Sequence, residues 1–252
     1  MLIPSRDAAR SASARWLRTA IGLVGIGAFW MGVALAATRY PTPFDWRYMT
    51  VSSLLAPDRN PAGYLWSTAG IVACGLCGFA WATLSARSAR RLVRSERPTG
   101  LRAFQLGYLA TSLSAALPDA LLPIPKIHEF FAVVAFATLT RALVGTFQTS
   151  VMRWLERSGR TGRVLGIAVV AAVVAPIFIA AAVQAYVFFA HPEWPWVNQS
   201  WRERGVPWLI SFAFWEWITC AVLALYMAFL LVLMQEAIAP AHLAAVQRRP
   251  AP

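Results

Sequence analysis

Long apolar stretches alternate with short polar segments along the chain. Six of these stretches are long enough to cross a bilayer as helices, because a hydrocarbon core of about 30 Å takes roughly 20 helical residues. They cover residues 19–37, 63–86, 103–122, 128–152, 164–189 and 207–235. The pattern therefore predicts an all-α, polytopic integral membrane protein with six transmembrane helices.

The predicted spans leave little room for a second domain. We expect a basic N-terminal segment at 1–18, a six-helix transmembrane domain at 19–235 and a C-terminal tail at 236–252. The two longest connections are 38–62 and 190–206. Each can hold an ordered loop or a short surface helix.

Composition supports the membrane interpretation. Of the 252 residues, 58% are apolar and only 13% are charged, and the mean hydropathy is +0.54. These values exclude a water-soluble fold and a disordered chain, and three cysteines are too few for a disulfide scaffold. Cys74 and Cys77 form a Cys-x-x-Cys pair inside a predicted span, where packing is the simpler interpretation. No cofactor is predicted.

The formal net charge of +12 does not indicate a nucleic-acid partner, because the basic residues form short clusters between apolar runs. Sixteen of the 23 Lys and Arg residues lie in the two termini and in the connections after spans two and four. The positive-inside rule then predicts that both termini are cytoplasmic. Lys126 is the single lysine, and this bias toward Arg and Ala favours a bacterial inner membrane.

The first span has an alternative interpretation as a cleaved signal peptide. Arg15 and Arg18 precede an apolar run that ends in Ala34-Leu35-Ala36, as in a cleavage site. The run is longer than a usual signal sequence and contains Trp30, so retention is predicted. Either outcome gives the remaining spans the same orientation.

Small residues predict where the first two helices pack. They are Gly22, Gly25 and Gly32 in span one and Gly70, Cys74 and Gly78 in span two. Because helices in lipid approach closely through small side chains, we expect these positions to form packing seams.

Two charged residues lie deep inside predicted spans. Glu216 lies nine residues past Pro207, and Arg141 lies thirteen residues past His128. An unpaired charge at mid-depth costs at least ~2.5 kcal/mol, so we expect an ion pair between Glu216 and Arg141. The pair is either a structural link between spans four and six or part of a functional site.

The predicted outer side carries further side chains that could take part in binding or catalysis. Its acids, serines and histidines are Asp45, Ser52, Ser53, Asp58, Asp119, His128, Glu129, His191, Glu193 and Glu203. In an enzyme, His128 would be the base, oriented by Asp119 or Glu129, with Ser52 or Ser53 as nucleophile. These groups could also bind a metal, but no His-x-x-x-His pair occurs, and metal content stays open.

Four tryptophans lie within fifteen residues of the third outer loop and the start of span six: Trp194, Trp196, Trp201 and Trp208. They are typical of an interfacial belt at the headgroups. A rim that binds lipid or carbohydrate is the alternative.

Several motifs together resemble a known family. Span six contains Ser211-Phe212-Ala213-Phe214-Trp215-Glu216-Trp217-Ile218, the first outer loop contains Met49-Thr50-Val51-Ser52-Ser53-Leu54 followed by Pro61, Gly63 and Gly70, and His128 opens span four. This pattern, over about residues 19–235, resembles the DRAM/Frag/Sfk superfamily of six-helix membrane proteins, whose bacterial branch has no assigned function. The acid that commonly follows the loop serine in that family is missing here, and Asp45 and Asp58 are the candidates to replace it.

The resemblance implies a role in lipid handling. We therefore expect lipid binding or lipid-linked regulation, with membrane lipids as partners. The predicted ligand-binding residues are Asp45, His128, Arg141, Glu216 and Trp217. The alternatives are an outer-face hydrolase or acyltransferase that acts on a lipid, and a structural subunit of a larger membrane complex.

Overall fold

A computed structural model describes residues 6–92, 100–117, 127–151, 159–191 and 200–247, and all its regular structure is helical. There are eight α-helices in these ranges and no strand. The helices are α1 (Arg6–Ala37), α2 (Val51–Leu55), α3 (Tyr64–Leu92), α4 (Leu101–Ala116), α5 (Ile127–Thr146), α6 (Gly159–Ala190), α7 (Ser200–Glu203) and α8 (Phe212–Gln247).

Five helices are long and apolar enough to cross a membrane. Their spanning parts are Ser13–Ala37, Tyr64–Arg87, Ile127–Thr146, Ile167–Val187 and Phe212–Val232. The chain is therefore an all-α, multi-pass membrane protein. The predicted span at 103–122 corresponds to α4, which has only 16 residues before the described chain breaks at 118. Six spans and the sidedness of the termini stay predictions.

The predicted start of the last span was wrong. The last span was expected to begin at Pro207, but α8 begins at Phe212, because Trp208–Ile210 forms a separate 3-10 turn and Ser211 is extended. The fourth predicted span, 128–152, agrees with α5 and the π-helical turn Phe147–Val151 that continues it. Helices α1 and α8 are longer than the first and last predicted spans, and extend to Arg6 and to Gln247.

The long helices pack side by side in the order α5, α4, α3, α1, α8 and α6. Helix α1 packs on α3, α3 on α4 and α4 on α5, whereas α6 packs on α8, and α8 returns to α1. The main core lies where α3, α4 and α8 meet, around Trp81, Phe104, Tyr108, Tyr226 and Leu230. This order leaves α5 and α6 as the two ends of the row, with a cleft between them.

Glycines bring α1 and α3 into backbone contact, which confirms the predicted seam. A Cβ added at Gly32 would lie 2.7 Å from both Gly70 Cα and the Trp66 carbonyl oxygen. A Cβ at Gly25 would lie 2.9 Å from Cys77 Cβ. The cysteine pair therefore serves helix packing, and both thiols are free.

The segment that joins α1 to α3 folds into one end of the bundle. Its helix α2 is buried at Val51, Ser53, Leu54 and Leu55, so of the two expected forms, an ordered loop or a short surface helix, the structure has a short helix that is buried. The fully buried Asn60 donates from Nδ2 to the Ala36 carbonyl at 3.1 Å. We call this end of the molecule the α2 end.

Residues 200–211, which precede α8, pack over the same end. Trp201, expected in an interfacial belt, is only 1% exposed and packs against Val187 and Val206. Tyr48 Oη donates to the Val206 carbonyl at 2.7 Å and ties the two connecting segments together. Trp208 is exposed, while Trp194 and Trp196 lie outside the described residues.

The close contact between α1 and α3 predicts that a Gly→Ala substitution lowers the stability of the protein at some positions of α1 and not at others. Gly32→Ala should destabilise the protein by ~1–3 kcal/mol, because the new Cβ meets backbone atoms that no rotamer change can move. Thermal unfolding in detergent measures the difference. Gly27→Ala in the same helix is the control, since its Cβ would meet no atom within 4 Å, and equal melting temperatures for the two variants would contradict the seam.

Candidate functional site

The beginning of α2 is held by side chains from two directions. Thr50 caps the helix, and its Oγ1 accepts a hydrogen bond from the Ser53 backbone N–H. From α8, Trp217 Nε1 donates to the Met49 carbonyl at 2.8 Å, and Glu216 Oε2 accepts from the Val51 N–H at 3.0 Å. These contacts fix which way the next residue, Ser52, points.

Glu216 is a buried carboxyl group, only 8% exposed. It lies four residues into α8, which places it about 6 Å from the start of the helix at 1.5 Å per residue. It accepts a hydrogen bond from the backbone of α2, and among the described residues no Lys or Arg forms an ion pair with it. A carboxyl group in this position suits a ligand that brings hydrogen-bond donors or positive charge.

The predicted ion pair between Glu216 and Arg141 was wrong. Arg141 is exposed, and it lies fourteen residues into α5, about 20 Å from the start of that helix. Because α8 begins at Phe212, Glu216 lies much nearer the α2 end than expected. No ion pair joins the two charges: Glu216 is buried against α2, whereas Arg141 is exposed on α5.

His128 and Ser52 do come together. His128 Nε2 lies 3.2 Å from Ser52 Oγ, and His128 Nδ1 lies 2.6 Å from the Ser114 carbonyl oxygen in α4. A carbonyl can only accept, so in the neutral ring Nδ1 carries the proton and Nε2 offers its lone pair to the serine hydroxyl. This is the arrangement of a serine nucleophile beside its general base.

The other predicted members of this group lie elsewhere. Ser53 is buried and its Oγ lies 3.0 Å from Thr50 Oγ1, so it belongs to the helix cap. Glu129 is exposed at the edge of the cleft, and the Ser114 carbonyl occupies the imidazole nitrogen that Glu129 was expected to orient. Asp119 lies outside the described residues.

The cleft between α5 and α6 is a cavity of about 1580 Å³, and Ser52, His128 and Glu216 all line it. This volume exceeds the ~300–1,000 Å³ of an ordinary small-molecule pocket. Its walls carry large apolar side chains that are at least 63% exposed, namely Phe130 and Val133 on α5 and Phe178 and Phe189 on α6. The cleft therefore opens sideways, toward the space that lipid tails occupy around a membrane protein.

A second cavity of about 150 Å³ lies on the inner side of the same three residues. It is lined by apolar side chains such as Ile26, Phe104 and Leu139. Ser52, His128 and Glu216 therefore lie between the cleft and a smaller, mostly apolar cavity.

Gln184 reaches the cleft from α6, about 9 Å before the helix ends. Both polar atoms of its amide are buried and have no hydrogen-bond partner in the described part of the chain. Leaving such a group unpaired costs about 1–3 kcal/mol. Gln184 was not among the residues predicted from the sequence, although it is the one amide in the apolar run 164–189.

Besides Arg141, two further predicted ligand-binding residues do not line the cleft. Asp45 pairs with Arg47, Nε to Oδ1 at 2.8 Å, and with Arg202, Nη1 to Oδ2 at 3.5 Å. Trp217 packs edge-on against Phe44 and beside Trp30. Both residues support the connecting segments that surround the site.

The described residues contain no group of three or more His, Cys, Asp and Glu side chains that could hold a metal ion. Comparisons with protein-family models, with curated proteins and with solved structures found no match. The resemblance to the DRAM/Frag/Sfk superfamily therefore stays a prediction.

The contact between Glu216 and Val51 predicts different effects for two substitutions. Glu216→Gln keeps a side-chain oxygen that can accept from the Val51 N–H, whereas Glu216→Leu leaves that buried N–H unpaired. We expect the leucine variant to be about 1–3 kcal/mol less stable than the glutamine variant. Thermal melts of the two variants in one detergent test this, and a leucine variant as stable as the glutamine variant would show that the contact contributes nothing.

Asp45 predicts a pH-dependent contribution to stability. The hydrogen bond from the Arg47 side chain holds the pKa of the Asp45 carboxyl below its ordinary value, although partial burial acts in the opposite direction. A lowered native pKa stabilises the fold above the unfolded value of about 4, and this gain is lost as the pH falls through the native pKa. Asp45→Asn should therefore lower the melting temperature at pH 7 and lower it less at pH 3.

Asp58→Asn is the matched control for this measurement, since Asp58 is an exposed acid in the same segment with no ion pair to any described residue. If Asp45→Asn lowers the melting temperature by the same amount at pH 7 and at pH 3, the lowered pKa of Asp45 does not contribute to stability.

Proposed function

We propose that this protein binds a membrane lipid in the cleft between α5 and α6. The acyl chains lie against the apolar walls, and the polar part of the lipid meets Ser52, His128 and Glu216 at the α2 end. The protein crosses a bacterial inner membrane six times with both termini in the cytoplasm, as the arginine distribution predicts. The bound lipid then belongs to the outer leaflet.

The observation that carries this proposal is the combination of a large, mostly apolar cleft with charged groups at its α2 end only. A cavity of about 1580 Å³ lined by exposed Phe and Val side chains suits hydrocarbon chains. A soluble, polar ligand would leave those walls without partners. A phospholipid has its ester and headgroup atoms at one end, which matches the distribution of polar groups in the cleft.

The edge of the cleft carries charges of both signs. Asp58, Arg59 and Glu129 line its mouth and are all exposed. A guanidinium near the opening suits a lipid phosphate, and the two carboxylates suit an amine. A zwitterionic headgroup, with a phosphate and an ammonium group, fits this edge best.

Gln184 supports a ligand with polar atoms below the headgroup. Its amide is buried on the α6 wall without a described partner, and an ester carbonyl or hydroxyl of the lipid would supply one. The lipid would thereby remove the cost of an unpaired amide.

Photo-crosslinking tests the location of the lipid. The purified protein is reconstituted in nanodiscs with a phosphatidylethanolamine whose acyl chain carries a diazirine, and cross-linked peptides are identified by mass spectrometry. We expect cross-links on the cleft sides of α5 and α6. Ala181→Trp should reduce their yield several-fold, because Ala181 lines the cleft and an indole there fills it.

Ala182→Trp is the matched control. Ala182 is the next residue of α6, is also exposed and does not line the cleft, so this variant should give the wild-type yield. Equal yields from both variants, or cross-links spread evenly around the bundle, would overturn the proposal.

A further inference from the structure

We propose that Ser52 is a nucleophile that accepts an acyl group from an ester-linked lipid, with His128 as its general base. This inference rests on the proposed lipid-binding function and assigns the same site a reaction and a substrate class. The geometry that points to it is the hydrogen bond of 3.2 Å between Ser52 Oγ and His128 Nε2 in the wall of the cleft.

The histidine is set up for proton transfer. His128 Nδ1 donates its proton to the Ser114 carbonyl oxygen, which lies 2.6 Å from Nδ1. This hydrogen bond orients the ring so that the Nε2 lone pair faces the Ser52 hydroxyl. A serine hydroxyl is a weak nucleophile on its own and is activated by an adjacent base oriented by a third group. Here the third group is a backbone carbonyl, which fixes the ring in one tautomer.

The serine is placed for attack. Ser52 lies in a five-residue helix whose first turn is fixed by Thr50 and Glu216, and it is partly exposed to the cleft. Its neighbour Ser53 is turned into the helix cap. The two serines predicted as alternatives therefore differ in access, and only Ser52 both lines the cleft and contacts the imidazole.

The reaction balances without any cofactor. Ser52 Oγ attacks the ester carbonyl carbon as its proton moves to His128 Nε2, and the bond from that carbon to the alkoxy oxygen breaks. The leaving alcohol takes the proton from His128, and an acyl ester remains on Ser52. Water or the hydroxyl of a second molecule then attacks this ester by the reverse sequence and frees the serine.

An active-site probe tests the nucleophile directly. The purified full-length protein in nanodiscs is incubated with a hexadecyl fluorophosphonate, in which an activated serine displaces fluoride from phosphorus. Intact-protein mass spectrometry and peptide mapping locate the adduct. We expect one adduct on Ser52, none in Ser52→Ala, and a rate on the order of 10²–10⁴-fold lower in His128→Gln, the usual loss when a general base is removed.

Ser53→Ala is the matched control, because it removes a neighbouring hydroxyl that does not line the cleft. It should label like the wild type. An adduct that persists in Ser52→Ala, or a rate unchanged in His128→Gln, would overturn the assignment of Ser52 and His128.

Lipid cross-linking of the same preparations separates the two proposals. If wild type and Ser52→Ala both cross-link lipid in the cleft but the wild type gives no fluorophosphonate adduct, the acyl-transfer step is wrong and lipid binding stands. If Ala181→Trp alters neither cross-linking nor labelling, the lipid-binding function itself is wrong. Release of fatty acid from phosphatidylethanolamine by the wild type, absent in Ser52→Ala, would identify water as the final acceptor.

Discussion

The structure depends on one constraint: inside a membrane protein, every backbone polar group that leaves a helix must find a partner within the protein. Such a group costs several kcal/mol in hydrocarbon when it is unpaired. The segment between α1 and α3 enters the bundle, and side chains of other helices meet its backbone. Glu216 accepts from the Val51 N–H, Trp217 donates to the Met49 carbonyl, and Ser67 donates to the Leu54 carbonyl at 2.7 Å. The position of Ser52 is a consequence of these contacts.

The existence and type of the long helices could be predicted from the sequence, because the free energy of placing apolar side chains in lipid depends on composition and length. Helix ends could not be predicted in the same way. Trp208–Ile210 is as apolar as the helix that follows, yet it forms a 3-10 turn, since Pro207 and the extended Ser211 interrupt the α-helical hydrogen bonds. Hydropathy alone does not report where a hydrogen-bond pattern begins, and that error placed Glu216 too deep.

The candidate site could be predicted only in part. His128 and a serine of the first connection share one end of the bundle, which the order of the spans implies. The choice of Ser52 over Ser53 depends on the rotation of α2, and the Ser114 carbonyl is a backbone group with no signature in the sequence. Gln184 could have been predicted, because a single amide in an otherwise apolar helix is visible in the sequence.

The smaller cavity behind Ser52, His128 and Glu216 has a thermodynamic consequence. Apolar side chains line about 150 Å³ there that the bundle itself does not fill. An alkyl terminus that enters it regains dispersion contacts with α1, α4 and α5. A bound alkyl chain would then raise the melting temperature, and the size of the increase would depend on the length of that chain.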